Sequence, residues 1–317
     1  MVSISRMPLA SLLLLASLGA ASGSPACPNP DALGTSRTVS VGGAPEIGLK
    51  SYPRTLALDD HEVVLTFDDG PWPVTTPKVL DALKAQCVEA TFFLIGRNAA
   101  ARPNLVRREL SEGHSVGHHS WSHPAVTLRG LTYRAALTEI DRGMEADDKA
   151  AGYGSWTGTP RVPFFRFPGF GDTAELRDDL RARGIAVFGA DLWASDWMPM
   201  TPEEEFDLLM GRLRATRRGI ILLHDIKPQT AAMLPRLLDA LKQDGFRVVH
   251  VVPGRDGTPT RPAPAGWSSE TERTLAHRWP TTKAGSMPAF TATLAHEGRS
   301  APDDPGRDAP SLKGSAD

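Results

Sequence analysis

Between residues 63 and 252, short apolar runs alternate with longer stretches whose apolar positions recur at helical spacing. The apolar runs predict strands at 63–67, 90–95, 115–117, 164–165, 186–188, 220–223 and 247–251. The amphipathic stretches predict helices at 76–86, 98–112, 133–150, 174–183, 202–217 and 230–243. Thr201 followed by Pro202 supplies a capping residue and a first-turn proline for one of them. The strand runs are continuous rather than alternating, which predicts burial on both faces and parallel strands joined by crossover helices. The class is therefore α/β, and the density of β/α repeats fits a small barrel better than an open sheet.

Both ends depart from this pattern. Arg6 precedes an apolar stretch at 9–18, and Ala21-Ser22-Gly23 follows, which predicts a secretory signal peptide over 1–23. Residues 24–60 read as a partly ordered arm leading into the folded domain at 61–253. From 254 to 317, Pro, Gly, Ser, Thr and charge replace the periodicity, which predicts a mostly disordered tail, although Trp267 and Trp279 argue that part of it docks.

Composition narrows the function. The 317 residues carry 35 Lys+Arg against 37 Asp+Glu, a net charge of −2, so the basic footprint of a nucleic-acid binder is missing. Outside the leader no apolar run reaches the ~18–20 residues of a spanning helix, so no integral membrane segment is expected after signal removal. Export predicts a periplasmic or extracellular protein, and a self-contained barrel permits a monomer. In an oxidising compartment Cys27 and Cys87 can form a disulfide, or Cys87 can be a small buried hydrophobe; both stay open.

The polar residues with chemical potential lie where the predicted strands end. They form Thr66-Phe67-Asp68-Asp69-Gly70-Pro71, His118-His119-Ser120-Trp121-Ser122-His123-Pro124, Arg166-Phe167-Pro168-Gly169, Asp191 to Trp197, and Leu222-Leu223-His224-Asp225. In a β/α barrel these ends converge on one face, which is the argument for an enzyme. His119 and His123 are four apart, so on one helical turn both imidazoles point the same way, and one added carboxylate makes an open three-ligand metal site. The adjacent pair Asp68-Asp69 strengthens this, because two neighbouring carboxylates need a cation or a shared proton. Asp196, Asp191 and Asp225 compete as partner for His224, and Trp193 and Trp197 can stack on sugar faces or simply fill core.

In order and spacing, these motifs resemble those of the NodB-type polysaccharide deacetylases, carbohydrate esterase family four. The resemblance covers the whole predicted folded domain. It implies a distorted (β/α)7 barrel and hydrolysis of N-acetyl groups from N-acetylglucosamine polymers such as peptidoglycan, chitin oligomers or poly-N-acetylglucosamine. It implies a divalent metal, most often Zn2+, with Co2+ or Mn2+ as alternatives, held by Asp69, His119 and His123. Asp68 would be the general base and His224 the general acid, with Arg166 positioning Asp68 and Asp196 polarising His224. Trp197 and Leu222 would line the acetyl pocket, and the Gly169 N–H would serve the oxyanion.

This chain departs from the family at Gly169-Phe170, where an aromatic residue usually follows the proline directly, and at His118, where Asn is common. Substrate preference is what these departures put in question. An acetylxylan esterase and a non-catalytic carbohydrate-binding protein remain as alternatives. The complete set of ligands and proton carriers argues against the second.

Overall fold

The apolar run around Val63 forms a strand, Glu62–Asp68, that is buried along its whole length. Its Val63, Val64, Leu65 and Phe67 each contribute roughly 1.5–3 kcal/mol by leaving water. The computed structural model describes residues 27–278. In chain order the strands are β1 (Thr35–Val41), β2 (Glu46–Ile47), β3 (Arg54–Leu56), β4 (Glu62–Asp68), β5 (Thr91–Leu94), β6 (Ser115–His118), β7 (Phe164–Phe165), β8 (Ala186–Phe188), β9 (Leu192–Trp193), β10 (Gly219–His224), β11 (Arg247–Pro253) and β12 (Thr260–Pro262). The helices are α1 (Thr76–Ala85), α2 (Gly96–Ala101), α3 (Pro103–Ser111), α4 (Tyr133–Ala151), α5 (Ala174–Ala182), α6 (Pro202–Thr216), α7 (Pro228–Gln243) and α8 (Glu270–Arg278).

Strands β4 to β8 pair in sequence, all parallel, while β10 lies on the other edge of β4 with β9 beside it. Seven parallel strands, in the order β9-β10-β4-β5-β6-β7-β8, therefore make the curled sheet of a distorted (β/α)7 barrel. No ladder joins β8 to β9 among the described residues; β2 occupies the free edge of β8 instead, pairing Glu46 with Val187 and Ile47 with Phe188. Packed against the sheet are α1, α6 and α7, which enclose a core that includes Leu80, Leu83, Leu209, Leu213, Leu234 and Leu238.

Three details differ from the sequence pattern. The seventh strand of the curl is β9, whereas the run at 247–251 forms β11, which pairs with β1 and touches only the foot of β4 at Glu62 and Val63. Two residues are too short a run to show a period, so β9 is not legible in the pattern. The single helix expected at 98–112 is two, because Pro103 has no N–H to continue α2 and starts α3 after a non-helical Arg102. The stretch after Gly254 holds β12, which pairs antiparallel with β3, and α8.

The signal peptide expected at 1–23 and residues 279–317, with Trp279, lie outside the described residues. Cys27 and Cys87 are bonded, with 5.8 Å between their Cα atoms. Among the described residues no helix is long and apolar enough to cross a membrane.

Candidate active site

Because the strands are parallel, their carboxyl ends share one face, and the β4–β10 register sets His224 beside Asp68. Past the end of β4 the chain turns sharply. Asp69 has φ 77°, its N–H donates to the Phe93 carbonyl at 3.2 Å, and Asn98 Nδ2 donates to its carbonyl at 2.8 Å. Gly70 is required by space, since a Cβ there would stand 2.3 Å from Asp225 Oδ2. Asn98 was not singled out in the sequence, because it belongs to no motif and acts on the main chain of Asp69.

Asp69 Oδ1 lies 3.6 Å from His119 Nε2 and 3.7 Å from His123 Nε2. Ligands about 2.1 Å from a tetrahedral cation stand about 3.4 Å apart, so the three atoms are spaced as a shared cation would require. The buried Asp69 Oδ1 has no hydrogen-bond partner. His119 Nδ1 donates to the Arg166 carbonyl at 2.7 Å, which leaves its Nε2 lone pair free towards Asp69. Burial lowers the His119 pKa to about 4, so the ring is neutral, as a ligand must be. The Asp69 carboxyl is opposed by its own burial, yet His224, His119, His123 and Lys227 hold it below the usual range. These three side chains can hold a metal ion. The expected helical turn is absent: residues 119–123 form a loop in which Ser120 and His123 have positive φ, and the loop rather than a helix aims both rings inward.

Asp68 is buried beside them. Its Oδ1 accepts from Arg166 Nη1 at 2.6 Å and its Oδ2 lies 3.8 Å from His119 Nε2. Arg166 is wholly buried, and its remaining donors reach Thr66 Oγ1 at 2.9 Å, the Gly189 carbonyl at 2.9 Å and the Phe188 carbonyl at 3.3 Å. Its guanidinium carbon sits 4.3 Å from the Phe93 ring centre. Every polar atom of this buried cation is thus directed, and one direction is Asp68.

Of the three carboxylates considered for His224, Asp196 is its partner. Asp196 Oδ1 lies 2.7 Å from His224 Nδ1, and Asp196 Oδ2 accepts from the His224 N–H at 2.7 Å and from Thr230 Oγ1 at 2.8 Å. Asp191 is instead taken up by Leu49 N–H, Ile220 N–H and Thr55 Oγ1, and Asp225 by Thr76 Oγ1. Burial lowers the pKa of His224, but Asp196, Asp69 and Asp68 outweigh it and bring the value up to about 10. With Nδ1 held by Asp196, Nε2 faces the site, 3.9 Å from Asp69 Oδ2. Thr230 carries no signal in the sequence, because threonine near the start of a helix is ordinary.

The cleft above these groups encloses about 330 Å³. One wall is aromatic: Phe170 stacks on Trp193 at 6.1 Å, Trp193 meets Trp197 edge-on at 5.5 Å, and Trp197 meets His224 at 6.0 Å. Trp197 is 42% exposed and Leu222 forms the buried floor. Gly169 has φ 55° within the short turn Pro168–Phe170, and its N–H has no hydrogen-bond partner among the described residues. Lys227, Thr271, Thr274 and Leu275 also line the cleft. The last three come from α8, in the stretch where sequence patterning expects tail.

Residues 56–188 match the family described as polysaccharide deacetylase. The chain is 33% identical over 203 residues to the peptidoglycan-N-acetylmuramic acid deacetylase PdaC of Bacillus subtilis, covering 63% of this chain and 40% of that protein. It is 32% identical over 222 residues to a chitooligosaccharide deacetylase of Sinorhizobium fredii, covering 62% of this chain and 93% of that one. Among solved structures, a Bdellovibrio bacteriovorus peptidoglycan deacetylase superposes with a TM-score of 0.57 at 28% identity, covering 69% of this chain and 60% of that one. The match thus spans about two fifths of the length of the first curated relatives.

Proposed function

The chain belongs to the polysaccharide deacetylase family, and we propose that it is a metal-dependent hydrolase that removes N-acetyl groups from N-acetylglucosamine-containing polysaccharide, peptidoglycan or chitin oligomers. The observation that carries the proposal is the grouping of Asp69, His119 and His123, with Asp68 and His224 each within 4 Å of one of them. Two imidazoles and a carboxylate suit Zn2+ and leave room for water, with Co2+ or Mn2+ as substitutes.

A cation held there supplies a Lewis acid for the amide carbonyl and lowers the pKa of water from 15.7 towards ~7. The protein's own groups do the rest. Asp68, fixed by Arg166, takes the proton of the attacking water through its free Oδ2. His224 hands a proton from Nε2 to the departing sugar amine, without which the tetrahedral adduct would collapse back to the amide. Asp196 fixes the ring for that transfer and favours its protonated form. The free Gly169 N–H donates to the developing oxyanion. Trp197 and Leu222 enclose the acetyl methyl, and Phe170 stacks beside the sugar.

Export to the periplasm or beyond fits the leader pattern together with the Cys27–Cys87 bond, which persists in oxidising compartments. The test is acetate release from chitopentaose, peptidoglycan and acetylated xylan, with and without zinc, using Asp68→Asn as control. Zinc-dependent acetate from an N-acetylated glycan, lost in the variant, supports the proposal. Acetate from xylan alone would make the protein an esterase, and glycan binding without acetate release would make it a binding protein.

A further inference from the structure

Helix α8 lies outside the family match at 56–188, yet it forms one side of the cleft. Thr271, Thr274 and Leu275 stand at i, i+3 and i+4, so they share a face, and that face lines the cleft. Leu275 is 5% exposed.

The helix is tied down at its start rather than resting on the surface. The Lys50 carbonyl accepts from Glu270 N–H at 2.9 Å, Thr271 N–H at 3.0 Å, Thr271 Oγ1 at 3.2 Å and Ser269 Oγ at 3.3 Å. Trp267 Nε1 donates to the Leu49 carbonyl at 2.7 Å, and Glu272 takes both arms of Arg129 at 2.6 and 2.7 Å. On the far side of Phe170 and Thr271 lies a second hollow of about 270 Å³, lined in part by Tyr52, Asp172 and Arg177. Phe170 and Thr271 border both spaces. Residues of the anchored helix thus border both hollows.

We propose that α8 is a fixed end wall of the glycan cleft and that Leu275 is its specificity-determining residue, limiting how many sugar units bind at once. This rests on the proposed deacetylase function. Leu275 packs on the sugar next to the one deacetylated, so short oligomers fill the cleft and longer ones gain nothing past the wall. Leu275 touches no reacting atom, and its effect belongs in KM rather than kcat.

The experiment compares di-N-acetylchitobiose with chitopentaose on the full chain, as wild type, Leu275→Ala and Glu272→Gln. The second variant loosens the Arg129 tether without altering the cleft face. In Leu275→Ala the ratio of kcat/KM for the pentamer to that for the dimer rises about tenfold, carried by KM with kcat unchanged. Glu272→Gln moves the ratio in the same direction by less. A ratio constant within about twofold in both variants, or a fall in kcat at constant KM, would overturn the proposal. The pentamer-to-dimer Kd ratio, which falls by the same factor, is read without turnover from tryptophan fluorescence titrations in an Asp68→Asn background. A shifted Kd ratio supports the wall even if the wild type releases no acetate, in which case only the deacetylase assignment fails. An unchanged Kd ratio overturns the wall whatever the acetate assay shows.

Discussion

Replacing Arg166 with Met isolates what the buried cation does for Asp68. The guanidinium is fully buried and pairs with Asp68 Oδ1 at 2.6 Å, and Asp68 is itself buried. Removing one member of a buried ion pair costs roughly 3–5 kcal/mol, because the remaining charge keeps its desolvation penalty without its partner. The carbonyls of Gly189 and Phe188 lose a donor as well, at about 1 kcal/mol or more each.

For a domain of this size each kcal/mol moves Tm by about 2–4 °C, so the pair alone predicts a fall of roughly 6–20 °C in zinc-stripped protein. The assay is a double-mutant cycle by urea denaturation: wild type, Arg166→Met, Asp68→Asn and the double variant. In the Asp68→Asn background no carboxylate is orphaned and only the carbonyls are left short. There Arg166→Met costs less than in wild type by at least about 2 kcal/mol. Equal cost in the two backgrounds would refute the reasoning, since Arg166 would then act through packing alone.

Other perturbations have equally definite outcomes. Asp196→Asn removes the ionic partner of His224 and lowers kcat by about 10²-fold or more with KM little changed, as steady-state kinetics on an N-acetylated oligomer will read. Gly70→Ala drives a Cβ into Asp225 Oδ2 and displaces Asp69, so zinc affinity measured by calorimetry falls at least about tenfold. Reducing or deleting the Cys27–Cys87 bond, which spans 60 residues, removes up to about 4 kcal/mol by the chain-entropy argument and lowers Tm accordingly. Half-buried Asp148, raised by burial to about 6 against its Arg161 contacts, holds a proton that the unfolded chain releases. Its contribution is present below about pH 4 and lost as pH rises through about 6, so wild type loses about 1 kcal/mol relative to Asp148→Asn across that window and runs parallel to it above, solvent exposure having reduced the figure.

The sequence made the chemistry readable because the site is built from short motifs at strand ends, where residue type is dictated by reaction rather than by packing. Asp68, Asp69, His119, His123, Arg166 and His224 could all be picked out that way. Which carboxylate serves His224 does not follow from the residues alone, where Asp191, Asp196 and Asp225 compete; the family resemblance points to Asp196, and the structure separates the three by whose donors they accept. Strand β9 escaped notice because two residues have no period, and the loop carrying His119 and His123 mimics a helical spacing without being a helix. The wall formed by α8 was hidden for another reason. Its anchors are the backbone carbonyl of Lys50 and the Lys50–Glu270 and Arg129–Glu272 ion pairs, contacts between residues 220 and 143 apart in sequence. Trp267 and Trp279, aromatic residues out of place in a polar stretch, hint that the segment docks, and the Trp267 indole does reach the Leu49 carbonyl.

The central claim is that Asp69, His119 and His123 hold the one cation on which Asp68 and His224 depend. Zinc-stripped protein titrated with zinc, with calorimetry and acetate release from an N-acetylated oligomer followed on the same samples, tests it most directly. The account predicts that both signals saturate together at one equivalent per chain and that His119→Ala abolishes both. Full acetate release before zinc is added, or one equivalent bound with equal affinity by His119→Ala, would contradict it.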